Sequence, residues 1–459
     1  MSTTGARQGA GGTGRAGPDG PGSGAGLAGA AGSTELTGLV HGMGKELAAP
    51  DWSPLTAEEV TAVLARYRRP GGAGGMGRAA VSWRSPRPMS AAGLIRRPGG
   101  PGGTGGGVFV KRHDPRVRSA PQLTAEHAFL TYLRDHRVPA PAVWRTPAGD
   151  SAVRYGGYVY EVHDVAVGLD LYRDAVSWSP FRSLGHARAA GAALARLHLA
   201  AADFPAPARL QAVLVGTCEV VTADDPVAAI GAMLARRPGL GRDLRGRSWR
   251  EDVTQQLAPL IGPAAPLLRA LPRQWGHGDW HPSNLTWTSA SAEAEVAQVV
   301  DFGLANRTFA VHDLATALER STVGWLDLAE SGRADADLDA IGALLDGYES
   351  VRPLSRAEAA ALAEVLPVVH VEYALSEIEY FADVVTSPGL ADLAYDGYLL
   401  GHARWFRSSE GRAVTGYLRG RLTGRPGHGQ PSRNAGLASA PGRGDATAEL
   451  AGSANGGAS

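Results

Sequence analysis

The hydrophobic patterning of this chain passes from mainly strand-like to mainly helical near His163, and few architectures accept such a division. A first helix is expected over 51–69, where Leu55, Val60, Val63, Leu64 and Tyr67 recur at helical spacing and Thr56 with Glu59 forms a capping box. Three short strand-like runs follow, around Val81 and Trp83, Leu94 and Ile95, and Val108 to Val110, with turn material between them. Helical spacing returns over 123–136, then two more strand runs lie at 152–155 and 158–162. Beyond Gly168 strands become scarce, apart from a short pair near 285–287 and 296–300. The remainder is Ala- and Leu-rich and helical, as at 187–201 and 367–385, where Pro367 suits a first helical turn. The expectation is an α+β chain, a small antiparallel sheet followed by a larger helical part.

Composition sets the limits of those two parts. Half of the 62 Gly lie in 1–50, 98–107 and 423–459, segments with little large apolar surface to offset chain entropy. These are expected to be disordered, leaving an N-lobe over 51–162 and a helical C-lobe over 163–422. Lys and Arg total 45 and so do Asp and Glu, which argues against a generally basic nucleic-acid binder or a charge-driven membrane binder. One cysteine, Cys218, excludes a disulfide framework and a cysteine metal cluster. Without an evident apolar span or signal-peptide core, the chain is expected to be cytoplasmic and free of membrane.

Chemistry concentrates in Trp275-Gly276-His277-Gly278-Asp279-Trp280-His281-Pro282-Ser283-Asn284-Leu285 and, seventeen residues past Asn284, in Asp301-Phe302-Gly303. Phosphoryl transfer from ATP needs a carboxylate near the acceptor hydroxyl and hard oxygen ligands for Mg²⁺. A loop carrying Asp279, with Asn284 five positions on, can aim the first at the acceptor and the second at the metal. Asp301, leaving a β-branched run, supplies another oxygen. Each motif alone is an ordinary polar turn; both in order carry the reading.

With these residues the chain resembles the aminoglycoside phosphotransferase and choline kinase group, whose signature is H-G-D-x-x-x-x-N followed by an acidic motif. The resemblance implies a bilobal protein-kinase-like fold, ATP and Mg²⁺ as cofactors, and transfer of the γ-phosphate to a hydroxyl of a small-molecule acceptor. It also implies roles: Asp279 as catalytic base or acceptor-positioning residue, Asn284 and Asp301 as Mg²⁺ ligands, with support from His277 and from Asp313 bracing the loop. Lys111, ending the third strand, would meet the phosphates with Glu126 as its helix-borne partner. The helix holding Gly191, Leu194, Leu197 and His198 is similar to a structural helix of that group.

Gly72 to Gly77 formally matches G-x-G-x-x-G, yet no strand precedes it and no helix follows. The turn 85–92 is the better phosphate loop, its small residues Ser90 and Ala91 letting backbone amides approach. Adenine is expected on backbone groups at Glu161, Val162 and His163. Glu372 and Glu379, flanking the apolar stripe of the helix over 366–383, are expected to favour a cationic or amino-bearing acceptor. A protein serine/threonine kinase is the alternative; the absent A-P-E and the eleven residues from Asp301 to His312 leave little room for an activation loop. A nucleotide-binding pseudokinase scaffold is the third reading, opposed by the presence of Lys111, Glu126, Asp279, Asn284 and Asp301.

Overall fold

The computed structural model describes residues 40–41, 47–68, 79–96, 107–209 and 213–423. The glycine motif at 72–77, most of the insert 98–107, the tail past 423 and nearly all of 1–50 lie outside the described residues. From 1–50 the exceptions include a pair of two-residue strands, Val40–His41 against Leu47–Ala48.

Five strands form the small lobe: β1 (Ala80–Arg84), β2 (Ala91–Arg96), β3 (Val108–His113), β4 (Ala152–Tyr155) and β5 (Tyr158–Asp164). They pair antiparallel in the order β1-β2-β3-β5-β4. Helix α1 (Ala57–Leu64) begins where Thr56 and Glu59 cap each other, as the capping-box pattern requires. It ends well short of residue 69 and buries Val60, Val63 and Leu64 with Tyr67 against Ile95, Val110 and Val162 on one sheet face. Helix α2 (Ala120–Asp135), capped by Ser119 and Gln122, crosses the other face.

The large lobe is helical. Between α3 (Leu184–Ala201) and α4 (Ala310–Thr322) run four short strands, β6 (Gln274–Gly276), β7 (Leu285–Trp287), β8 (Val296–Val299) and β9 (Asn306–Thr308). β7 pairs with β8 and β6 with β9, which presents the connecting loops on one side. α3 packs on α5 (Leu338–Val351) through glycine. A Cβ at Gly191 would stand 2.0 Å from the Leu344 carbonyl oxygen, and one at Gly347 would stand 1.9 Å from that of Arg188. Only a residue without a side chain allows that approach.

Helices α6 (Arg356–Val365) and α7 (His370–Glu379) continue through a π-helical turn to Val384. This run is apolar and long enough to cross a membrane by length and composition, contrary to the expectation that no segment approaches that, yet 78% of its apolar window is buried inside the lobe. It is a core helix by packing.

Candidate active site

The loop after β6 carries the expected residues, and its shape follows from one buried carboxylate. Asp313 on α4 accepts from the backbone amides of His277 at 2.7 Å and Gly278 at 2.8 Å. It also accepts from His198 Nε2 on α3 at 3.0 Å, and His198 Nδ1 then accepts the Tyr348 hydroxyl at 2.8 Å. Burial pushes the Asp313 carboxyl up, but the His198 bond, foremost among its partners, holds it below the ordinary range. Gly278 has φ of +76° and its missing Cβ would lie 2.5 Å from the Leu304 carbonyl oxygen, so glycine is required for the turn. His277 Nε2 donates to the Val300 carbonyl at 3.0 Å, leaving Nδ1 to accept from the Asp279 amide at 3.2 Å. One imidazole thereby ties the two loops together.

Asp279 is held from both sides. Arg320 on α4 pairs with Oδ1, while the Asn284 amide donates to Oδ2 at 3.2 Å and to the Asp279 carbonyl at 2.9 Å. Burial opposes ionisation, but the Arg320 guanidinium and then His281 keep the carboxyl well below its usual range. With its amide nitrogen so used, Asn284 has its carbonyl oxygen left for a cation. Asp301, 36% exposed, stands across the cleft in the left-handed backbone region at φ of +59°. Its carboxylate is 2.8 Å from Lys111 Nζ. Burial raises Asp301 and Lys111 lowers it, for a net position below the ordinary value. The carbonyls of the loop behind it are clamped by Arg118 and Arg209, which both donate to Gly303 at 2.9 Å.

A family model described as the phosphotransferase enzyme family matches residues 102–354, more than half of the chain. The chain belongs to that family. A homoserine kinase of Methylobacillus flagellatus is 28% identical over 43% of this chain and 65% of its own length. One of Rhodospirillum rubrum is 28% identical over 51% and 61%. The chain therefore spans just under two thirds of the length of these relatives. Among solved structures it is similar to an aminoglycoside phosphotransferase from Alicyclobacillus acidocaldarius (17% identity, TM-score 0.44, 81% of this chain and 98% of that one). It is also similar to the amicoumacin kinase hAmiN, solved with AMP-PNP, Ca²⁺ and Ami (14% identity, TM-score 0.49, 75% and 92%).

In this member of the family two of the expected placements change. The partner of Lys111 is Asp301, while Glu126 is buried with Arg209 3.7 Å away. Glu161, Val162 and His163 lie inside β5, where the Val162 carbonyl already accepts from the Trp144 amide at 2.8 Å. Glu161 and His163 line the cleft together with Asp164 at the strand's end and Val165, Ala166 and Gly168 beyond it. Glu372 and Glu379 are structural. Glu372 accepts the backbone amides of Thr217, Cys218 and Val220 at 2.7–2.8 Å, satisfying a buried turn, and Glu379 pairs with Arg237. Ser90 lines the cleft in the β1–β2 turn, with Ala91 buried at the start of β2.

Sequence reading missed the wall opposite Asp279. A cavity of about 180 Å³ there is lined by Asp279, Trp178, Tyr373 and Glu377, and by Arg87 from the β1–β2 turn. The Arg320 guanidinium lies over the rings of Tyr373, at 4.5 Å, and Trp178, at 5.1 Å. Glu377 Oε2 is buried with no hydrogen-bond partner among the described residues. Burial pushes the Glu377 carboxyl up to about 8 against the pull of Arg320. The one readable signal was the spacing of Tyr373 and Glu377, four apart on one helix face.

Proposed function

We propose that this protein is an ATP- and Mg²⁺-dependent kinase that transfers the γ-phosphate to a hydroxyl of a small, amine-bearing acceptor. The observation that carries the reading is the convergence of Lys111, Asp279, Asn284 and Asp301 on one cleft between the lobes. The donor set, an amide oxygen and a carboxylate, suits a hard cation. Mg²⁺ held by Asn284 and Asp301 would neutralise charge on the phosphates as they separate. Lys111 orients the phosphates from β3, and Arg87 adds a cation from the turn above. Asp279 accepts the hydrogen bond of the acceptor hydroxyl and aims its oxygen at the γ-phosphorus. As that O–P bond forms and the β,γ-bridging bond breaks, the hydroxyl proton passes to the carboxylate and ADP leaves. The homoserine kinase relatives support a small acceptor. The segment after Asp301 is taken up by β9 and α4, which favours this over a protein kinase.

Incubating the protein with ATP, Mg²⁺ and a panel of hydroxyl metabolites and proteins tests the reading; phosphate transfer to proteins alone would refute it. Asp301→Ala should weaken ATP binding in Mg²⁺ about tenfold or more, the worth of one charge-assisted contact, and remove its Mg²⁺ dependence. Equal ATP affinity with and without Mg²⁺ in the parent protein would count against the metal assignment.

Glu377 gives the acceptor its amine preference, since a buried carboxyl with a bare oxygen gains most from a cationic donor. Glu377→Gln is expected to raise KM for amine-bearing acceptors about tenfold and to leave kcat within about threefold. An unchanged KM would place the amine elsewhere.

A further inference from the structure

Glu161 has no place in the transfer chemistry, and its surroundings are unusual. Its carboxylate is 2% exposed, and its only ion-pair partners among the described residues are three imidazoles. His113 Nε2 meets Oε1 at 2.8 Å, while His127 and His163 Nε2 share Oε2 at 2.7 and 2.8 Å. Strand alternation builds the group. β3 and β5 pair Lys111 with Glu161 and Phe109 with His163, so His113, Glu161 and His163 share the face that α2 covers with His127.

A buried carboxylate is costly unless strong positive charge meets it. The candidate ligand atoms of His127, Glu161 and His163 all lie within 4.8 Å of one another. Zinc bonds of about 2.0–2.2 Å put neighbouring tetrahedral ligands roughly 3.3 Å apart, so small side-chain shifts would open this cluster around an ion. Two imidazoles and a carboxylate suit a first-row transition ion and not Mg²⁺, which takes oxygen. Glu161 and His163 line the cleft, which supplies an entry path and a direction for a fourth ligand.

We propose that His127, Glu161 and His163 bind one divalent transition-metal ion of the Zn²⁺ type behind Lys111, with His113 fixing the far carboxylate oxygen. The site is distinct from the Mg²⁺ position at Asn284 and Asp301, and its test does not depend on phosphoryl transfer.

The test is a Co²⁺ titration of the full, chelator-treated chain in saturating Mg²⁺. The expected result is a visible absorption band of four-coordinate intensity that saturates at one equivalent per chain and is displaced by Zn²⁺. His127→Asn and His163→Asn should each weaken Co²⁺ binding by at least about 100-fold, the upper range even for groups that merely orient a ligand. No band in the parent protein, or an unchanged band in the double variant, overturns the proposal. Should the variants fail to fold, X-ray absorption of the Zn²⁺-loaded parent decides. Two imidazoles in the shell support the site, and an all-oxygen shell overturns it.

Discussion

Asp279→Asn is expected to lower kcat by about two to four orders of magnitude while ATP affinity stays close to that of the parent. The carboxylate sits between Arg320 on Oδ1 and the Asn284 amide on Oδ2. Both neighbours are donors, so the new amide nitrogen would face a donor on whichever side it turned. Its remaining oxygen carries no charge to draw the acceptor hydroxyl toward the phosphorus. Because Arg320 holds the Asp279 carboxyl so low, proton abstraction contributes little driving force early in transfer, and positioning with charge carries most of the effect. Steady-state turnover on the acceptor found in the panel, beside calorimetric ATP binding, checks this. Turnover within a factor of about three of the parent would remove Asp279 from the chemistry.

Asp313→Ala carries the largest expected loss of stability, about 3–5 kcal/mol. It would leave the amides of His277 and Gly278 and the His198 imidazole buried without an acceptor. Urea denaturation should show the midpoint fall, and activity should be lost even under conditions where the variant folds. Asp313→Asn keeps one acceptor oxygen and should fall between. An unchanged midpoint in the alanine variant would contradict the role. The pH dependence follows from the same bonds. Folding lowers the carboxyl, so its contribution is complete above the unfolded value of about 3.9 and is lost as pH falls through the folded value.

Much of this was legible in the residues. Thr56 and Glu59 marked the start of α1, period-2 runs marked the sheet, and the order Lys111, Asp279, Asn284, Asp301 placed four groups that do meet in one cleft. The illegible parts are those that tertiary packing decides. Helix α7 presents Tyr373 and Glu377 to the cavity and turns Glu372 to the loop over 217–220. That rotation is fixed by the buried amides Glu372 satisfies, which no periodicity in α7 announces. Arg320 lies on a helix buried almost throughout, where an arginine reads as an oddity until Asp279 and two aromatic rings surround it. Strand length likewise depends on pairing: the chain over 142–144 extends the hydrogen bonding of β5 as far as Asp164, past the end at 162 that the sequence suggests.

The glycine contact between α3 and α5 bears on how such an enzyme can change. At Gly191 and Gly347 backbone rests on backbone, so no side chain there can be lengthened or trimmed to alter the spacing. Those two helices carry His198 and Tyr348, and through them Asp313 and the loop of Asp279 take their height above the cleft. The cavity wall facing Asp279 is built from the side chains of Trp178, Tyr373 and Glu377. On the proposed function, substitutions in the wall would retarget the protein to another acceptor while the reach from hydroxyl to phosphorus stayed as it was. On that reading, substrate choice and reaction geometry are inherited from separate parts of the chain.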